Sequence, residues 1–322
     1  MLLSRRNVRV KVMQVLYTHE QSLDIPFTTL EKSLRERINN SFRLLIYNLY
    51  LITKTAEYSV EDAGHKSSKH LPTAADKKVS VRIFHNPIIQ KLVLDENFKR
   101  IIREQKLSYL PDSDYFRTWF KALEDTSAYK NYIQIKNPPI EDDKRLILYL
   151  YRKVLLLSEV FTQNVEDSFT TWNDDSAIIE NQLVLLIDKI ATQVEKEIAK
   201  GNEKFIKFPE GMSEEHEFAN ELLNRAFYNE EYLGGLVTPK LENWDKERLA
   251  QIDLLLMKMA LAEMLYFPNI PLKATINEYI DIAKNYSTPK SGEFINGLLD
   301  KIMKELKDQG LLKKEGRGLI EN

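Results

Sequence analysis

Cysteine is missing from the sequence altogether. Its absence excludes a disulfide framework, a thiolate nucleophile, an iron–sulfur cluster and any zinc site that needs a Cys ligand. It also fits a reducing, cytoplasmic location. Glycine and proline are scarce, at 10 and 11 of 322 residues, which argues against collagen-like, Gly/Ser-linker and many-turned all-β architectures. An excess of one charge is lacking too: 46 Lys and Arg face 48 Asp and Glu. That balance excludes a globally basic nucleic-acid-binding coat but is compatible with a local basic patch. Long hydrophobic runs are lacking as well. The longest apolar region, 146–161, is interrupted by Arg152 and Lys153, so no membrane association is expected. The opening MLLSRRNVRV carries its charges after two leucines, with no apolar stretch behind them, and is not read as a secretory signal.

What is present is a globular composition, 43% hydrophobic and 29% charged, in a chain long enough for about two domains. Residues 4–23 predict a helix. Ser4 stands at its N-cap, Val8, Val12, Val15, Leu16 and Leu23 form one stripe, and Arg5, Arg6, Arg9 and Lys11 take the polar face. Pro26 closes it. Residues 27–60 predict a second helix, apolar nearly all round in its later half and therefore buried. The polar stretch 61–80, with Gly64 and Pro72, is expected to be a mobile loop. Helices are predicted at 87–106, 112–134, 140–162 and 175–200, with Asp112, Glu141 and Asp175 near their starts and Gly201 ending the last. After the breaker cluster 208–213, further helices are predicted at 213–230, 247–267, 272–285 and 292–308. The tail, 311–322, is expected to be flexible. No convincing strand pattern occurs, so the predicted fold class is all-α.

Catalytic constellations are absent from the pattern. There is no Walker A loop, and the glycines of GRGLIEN follow no strand. Histidines 19, 65, 70, 85 and 216 are scattered. The run from His216 places Asn220 where a zinc-binding helix needs its second His. The acid pairs Asp142–Asp143 and Asp174–Asp175 lie near helix starts, where the helix dipole accounts for them. The expectation is a non-enzyme with no cofactor and no metal. Arg5, Arg6 and Arg9 fall within about one turn and are followed by Lys11. Guanidinium forks bind phosphates bidentately, and a helix N-terminus adds a favourable dipole. A solvated helix face explains the same pattern.

Ordered motifs then recur across the C-terminal region. An apolar helix ends in Ala260-Leu261-Ala262-Glu263. A Pro-x-x-Pro-x-Lys-x-x-Ile-Asn-Glu segment runs from Pro268 to Glu278, and a Ser-x-x-Phe-x-Asn-Gly-x-Leu-Asp segment from Ser291 to Asp300. The first helix adds the arginines and Gln14-Val15-Leu16-Tyr17, and 218–241 adds a further matching stretch. In these residues, about a third of the chain, the sequence resembles the NusB family of transcription antitermination factors. Each motif also has a local reading: Pro268 and Pro271 punctuate a turn, Ser291 caps the last helix, and Asn296-Gly297 permits tight helix packing.

The resemblance implies a NusB-like helical bundle built from 1–25 and 213–310, with 26–212 as an inserted helical region much longer than the family's usual connection. It implies a non-enzymatic, cytoplasmic RNA-binding factor. Such a factor pairs with NusE, a small-subunit ribosomal protein, binds the boxA element of rRNA leader transcripts and joins RNA polymerase in an antitermination complex. Carried over by position, Arg5, Arg6, Arg9, Lys258, Tyr286, Lys290, Phe294 and Asn296 are the expected RNA contacts. Tyr286 and Phe294 are candidates for stacking on unpaired bases, and a core position is the competing reading of Phe294. Tyr17 and Asp253 are the expected partner contacts. Lys290, Ser287 and Pro289 depart from the residues usual in the family, which leaves the conformation of that loop open. Two other readings compete. An rRNA cytosine methyltransferase with a NusB-like domain needs catalytic cysteines and a Gly-rich cofactor loop, and this sequence shows neither. A helical protein-interaction scaffold keeps the fold without specific RNA binding.

Overall fold

A computed structural model of the chain describes residues 2–22, 24–68, 80–109, 111, 113–201, 205–208, 212–241 and 250–320. Leu23, His70, Pro72, Asp112, the bulk of the expected loop at 69–79 and the expected helix start at 247–249 lie outside the described residues. The described secondary structure is helical, with no strand among these residues. The helices are α1 Arg5–Gln21, α2 Phe27–Ser67, α3 Pro87–Leu94, α4 Glu96–Glu104, α5 Ser113–Glu124, α6 Ser127–Tyr132, α7 Ile140–Tyr149, α8 Glu159–Ser168, α9 Trp172–Lys200, α10 Ser213–Tyr228, α11 Glu230–Val237, α12 Gln251–Tyr266, α13 Leu272–Tyr286 and α14 Ser291–Asp308. The chain divides into two compact units. Unit 1 comprises Met1–Asn39 and Gly211–Asn322, and unit 2 is Asn40–Glu210. The first boundary falls inside α2, later than the expected residue 25.

Unit 1 is built around α12. This helix is buried from Leu255 through Met264, as a helix apolar on every side must be, and α1, α10, α11, α13 and α14 surround it. α1 packs its Val8, Val12, Val15 and Leu16 stripe inward. The start of α2 joins the same unit through buried Leu30, Leu34 and Ile38. Residues 311–320 correct the expected flexible tail. Lys314 Nζ donates to the Phe267 carbonyl at 2.9 Å, and the Glu315 amide donates to the Pro268 carbonyl at 3.0 Å. Gly318 is buried so close to that carbonyl that a Cβ there would lie 1.9 Å from its oxygen.

Unit 2 has an aromatic core. Phe161 meets Trp119, Tyr151 and Trp172 edge-on, at 5.6, 6.3 and 6.3 Å between ring centres. The later part of α2, from Leu44 to Ile52, is largely buried here, as its all-round apolar pattern predicts. Three predicted helices are broken where polar side chains cap a new start inside an apolar pattern. Asp95 accepts from the Phe98 amide, Thr126 from the Tyr129 amide and Ser158 from the Phe161 amide. Residues 61–67 correct the expected loop: they extend α2 by two turns. Asp62 pairs with Lys66 four residues on at 2.7 Å and with Lys121 of α5 at 3.1 Å, while Gly64 faces open space. Gly201 closes α9 with φ +69°, the left-handed conformation glycine supplies.

Candidate nucleic-acid interface

α1 starts at Ser4, whose Oγ accepts from the Asn7 amide at 3.2 Å. The three arginines that follow enter three different environments. Arg5 is exposed, and its guanidinium lies 5.4 Å above the centre of the Phe218 ring. Arg6 is half-exposed and forks onto Glu278 of α13 at 2.9 and 3.1 Å, with Asp281 at 2.9 Å. The Glu278 hydrogen bond raises the pKa of Arg6, against the opposing effect of burial. Arg9 is buried. Its Nε and Nη2 each donate to Glu263 of α12 at 2.7 Å. Thr275 donates to the same carboxylate at 2.7 Å, and the rings of Phe218 and Tyr279 flank the guanidinium. Burial alone would lower the pKa of Arg9, but the hydrogen bonds and charge of Glu263 outweigh it and raise it. The expected role of Arg9 as an RNA contact is therefore corrected. Its fork is already filled by a carboxylate with no solvent exposure, and it clamps α1 to α12.

Lys258 is corrected in the same way. Its side chain is 9% exposed, and Nζ lies 2.8 Å from both Glu20 of α1 and Glu230 of α11. Their hydrogen bonds keep it charged against the desolvation that opposes them. Asp253 was expected to face a partner protein, but it is buried and accepts from Ser291 Oγ at 2.8 Å. That hydroxyl also accepts from the Thr288 amide at 3.2 Å and lies within hydrogen-bonding distance of Ser287 Oγ and Thr288 Oγ1. Asp253 thus pins the α13–α14 turn to the start of α12. Ser291 closes this turn instead of capping α14, for which no side-chain cap is formed. Gly297, expected to permit close packing, faces open space. The approach of α14 to α13 occurs at Gly292, where a Cβ would meet Ile280 at 3.5 Å.

The other expected residues stay nearer the surface. Tyr17, Lys290 and Asn296 are exposed, and Tyr286 and Phe294 are partly buried. α1 and α12 run antiparallel: Arg9 meets Glu263 at one end, and Gln21 meets Gln251 at 2.8 Å at the other. The exposed candidates therefore fall into two groups. Arg5 and Arg6 lie at the start of α1. Tyr17 lies at its far end, the end at which Asp253 anchors the turn carrying Lys290. Arg6 and Tyr17 are eleven residues apart, which places them about 16 Å apart along the axis and within about 20° of each other around it. Two guanidinium groups, an ammonium and an amide at the surface, beside two partly buried rings, suit an extended strand, with phosphate contacts for position and ring or amide contacts for bases. A phosphate at Arg6 would compete with its bidentate pair to Glu278 and its contact with Asp281. Sequence reasoning missed the anchoring acids Glu263, Glu278 and Asp281, and the ring of Phe218 beneath Arg5 and Arg9.

Comparison with known proteins assigns part of this chain. Residues 182–304 match the model of the NusB family. The matched stretch begins within α9 and ends within α14; α1 lies outside it. The chain is 43% identical over 105 residues to the transcription antitermination protein NusB of Chloroherpeton thalassium, covering 33% of this chain and 50% of that protein. It is 43% identical over 104 residues to the NusB of Salinibacter ruber, covering 32% and 65%. Against the NusB of Geotalea daltonii the identity is 40% over 92 residues, covering 29% and 63%. The chain thus spans between half and two thirds of the length of these curated relatives. No solved structure matches it.

Proposed function

We propose that this chain is a non-enzymatic, cytoplasmic RNA-binding transcription antitermination factor of the NusB kind, carrying an additional helical unit. The observation that supports this most is the 43% identity over 105 residues to one protein named transcription antitermination protein NusB. On this reading the RNA is a boxA-type single-stranded segment of an rRNA leader, the protein partner is NusE, and the pair joins an RNA polymerase antitermination complex. Arg5, Arg6 and Lys290 contact phosphates. Tyr286, Phe294 and Asn296 contact bases, and Tyr17 lies on the partner side. Arg9, Lys258 and Asp253 act indirectly by fixing α1, α11, α12 and the α13–α14 turn.

Fluorescence anisotropy with a boxA-type RNA and a scrambled control, with and without NusE, tests the reading. Selective binding that NusE strengthens is expected. Three phosphate contacts on a single strand give a log–log salt slope of about −2. Arg5→Ala combined with Arg6→Ala should weaken binding and flatten that slope, whereas an unaltered fold without selective binding under any of these conditions would favour the scaffold reading.

A further inference from the structure

A second surface of unit 1 has the opposite chemistry. α1, the start of α2, α10 and the α12–α13 turn enclose a cleft of about 910 Å³. Its lining holds five glutamates and a single cation, Arg5. Glu215 is taken by the Leu2 amide at 2.8 Å and Glu221 by Arg225 at 2.7 Å. Glu31, Glu214 and Glu217 form no ion pair among the described residues. Between these carboxylates stand the rings of Phe27, Phe218, Tyr266 and Phe267.

The chain's own arginines show what such walls hold. Arg5 lies over Phe218 within the cleft. At the rim, Arg225 lies 4.9 Å over Tyr266 while it pairs with Glu221. The same combination, a ring below and a carboxylate beside, thus receives a guanidinium at the edge of the cleft. A planar guanidinium satisfies both features, because it stacks on rings and forks onto carboxylates. The volume lies at the upper end of small-molecule pockets, ~300–1,000 Å³, and so accommodates several side chains. Uncompensated carboxylates repel phosphates, which makes the glutamate wall unsuited to RNA, although Arg5 in the same lining also belongs to the candidate RNA surface. No group of three metal-ligating side chains occurs among the described residues.

We propose that the cleft docks an arginine-rich peptide segment of a protein partner. The proposal stands independently of the RNA reading. It is tested on the full chain by anisotropy with a short fluorescein-labelled Arg-Gly repeat peptide, alongside a Glu-Gly repeat of equal length. Saturable binding of the first peptide alone is expected. Glu31→Gln, Glu214→Gln and Glu217→Gln together should weaken it about tenfold while leaving the thermal midpoint unchanged, because these groups make no internal pair. Arg5→Ala removes the lining's own cation and one of the two guanidinium groups over Phe218, so it should tighten binding a few-fold. Absence of peptide binding, or equal binding by the triple variant, would overturn the proposal. Stoichiometric displacement of the peptide by RNA from Arg5→Ala as well as from the unaltered chain would assign the cleft to nucleic acid and overturn it as well.

Discussion

In unit 1, the buried cations Arg9 and Lys258 meet carboxylates, Arg9 with Glu263 and Lys258 with Glu20 and Glu230, while its buried acids Asp253 and Glu215 accept from a hydroxyl and a backbone amide. Unit 2 is organised around rings, and its buried acids Asp95 and Asp143 accept from backbone amides and from the Tyr132 hydroxyl. Its Asp62 does pair with lysines, but Lys66 and Lys121 are 19% and 36% exposed. The difference bears on specificity. Ring packing tolerates repacking when volume is kept. A buried ion pair allows one register, because any slip leaves a charge unpaired. Arg9 and Lys258 therefore fix α1 along α12 at two points, and this placement sets where Arg5 and Arg6 stand relative to the α13–α14 turn that Asp253 anchors to α12.

The largest expected effect comes from breaking one of these pairs. Glu263→Gln removes the buried counter-charge of Arg9, leaving only Glu278 at 3.6 Å, and should destabilise the protein by about 3 kcal/mol in urea unfolding. Replacing both residues, Arg9→Met with Glu263→Met, should recover most of that loss. Trp119→Ala in unit 2 should cost about the same through a cavity, with no recovery from any change at its hydrogen-bond partner Ser158. If the double methionine variant were as unstable as Glu263→Gln, unit 1 would depend on packing volume as unit 2 does, and the contrast would fail.

A smaller effect distinguishes the units by pH. Burial raises the Asp143 pKa above 3.8, so the folded state binds the proton more tightly than the unfolded state. The stability contribution is greatest at low pH and declines as pH rises from the unfolded value through the raised folded value. Asp143→Asn should abolish that decline in a pH series of thermal midpoints. Arg9 and Lys258 are raised instead and stay charged throughout, so no parallel slope arises from them.

The smallest effect is local to the tail. Gly318→Ala brings a methyl group against the Pro268 carbonyl. It should release residues 311–320 at less than about 1 kcal/mol of global stability, a sub-global opening, seen as lost hydrogen-exchange protection at the Glu315 amide. Burial lowers the Lys314 pKa to about 8 from 10.5. The folded state then binds fewer protons than the unfolded state between those values, so docking of the tail should strengthen as pH rises from 8 towards 10.5.

Periodicity located most helices because their apolar stripes are long, and the Gly201 stop followed from its lack of Cβ. The breaks at Asp95, Thr126 and Ser158 were hidden because a cap is one polar residue in an otherwise continuous apolar pattern. The burial of Arg9 was legible and was missed. At 100° per residue Arg9 falls about 20° from Leu16, on the apolar stripe, where a cation requires a buried acid. Lys258 carries a similar signal as a cation in a helix apolar on all sides. The pinning role of Asp253 could not be read locally, since Ser291 is distant in sequence and only the tertiary fold joins them. The docking of the tail was equally hidden, because its contacts are to the carbonyls of Phe267 and Pro268, which no side-chain pattern reveals.

The central claim is that RNA is held on unit 1, along α1 and the α13–α14 turn. Photo-crosslinking the full chain, with NusE present, to a boxA-type RNA carrying 4-thiouridine tests it most directly, with adducts mapped by mass spectrometry. The account predicts adducts on peptides containing Arg5 and Arg6 and on those spanning Tyr286 to Asn296. Adducts confined to residues 40–210 would contradict it and would place RNA binding in unit 2.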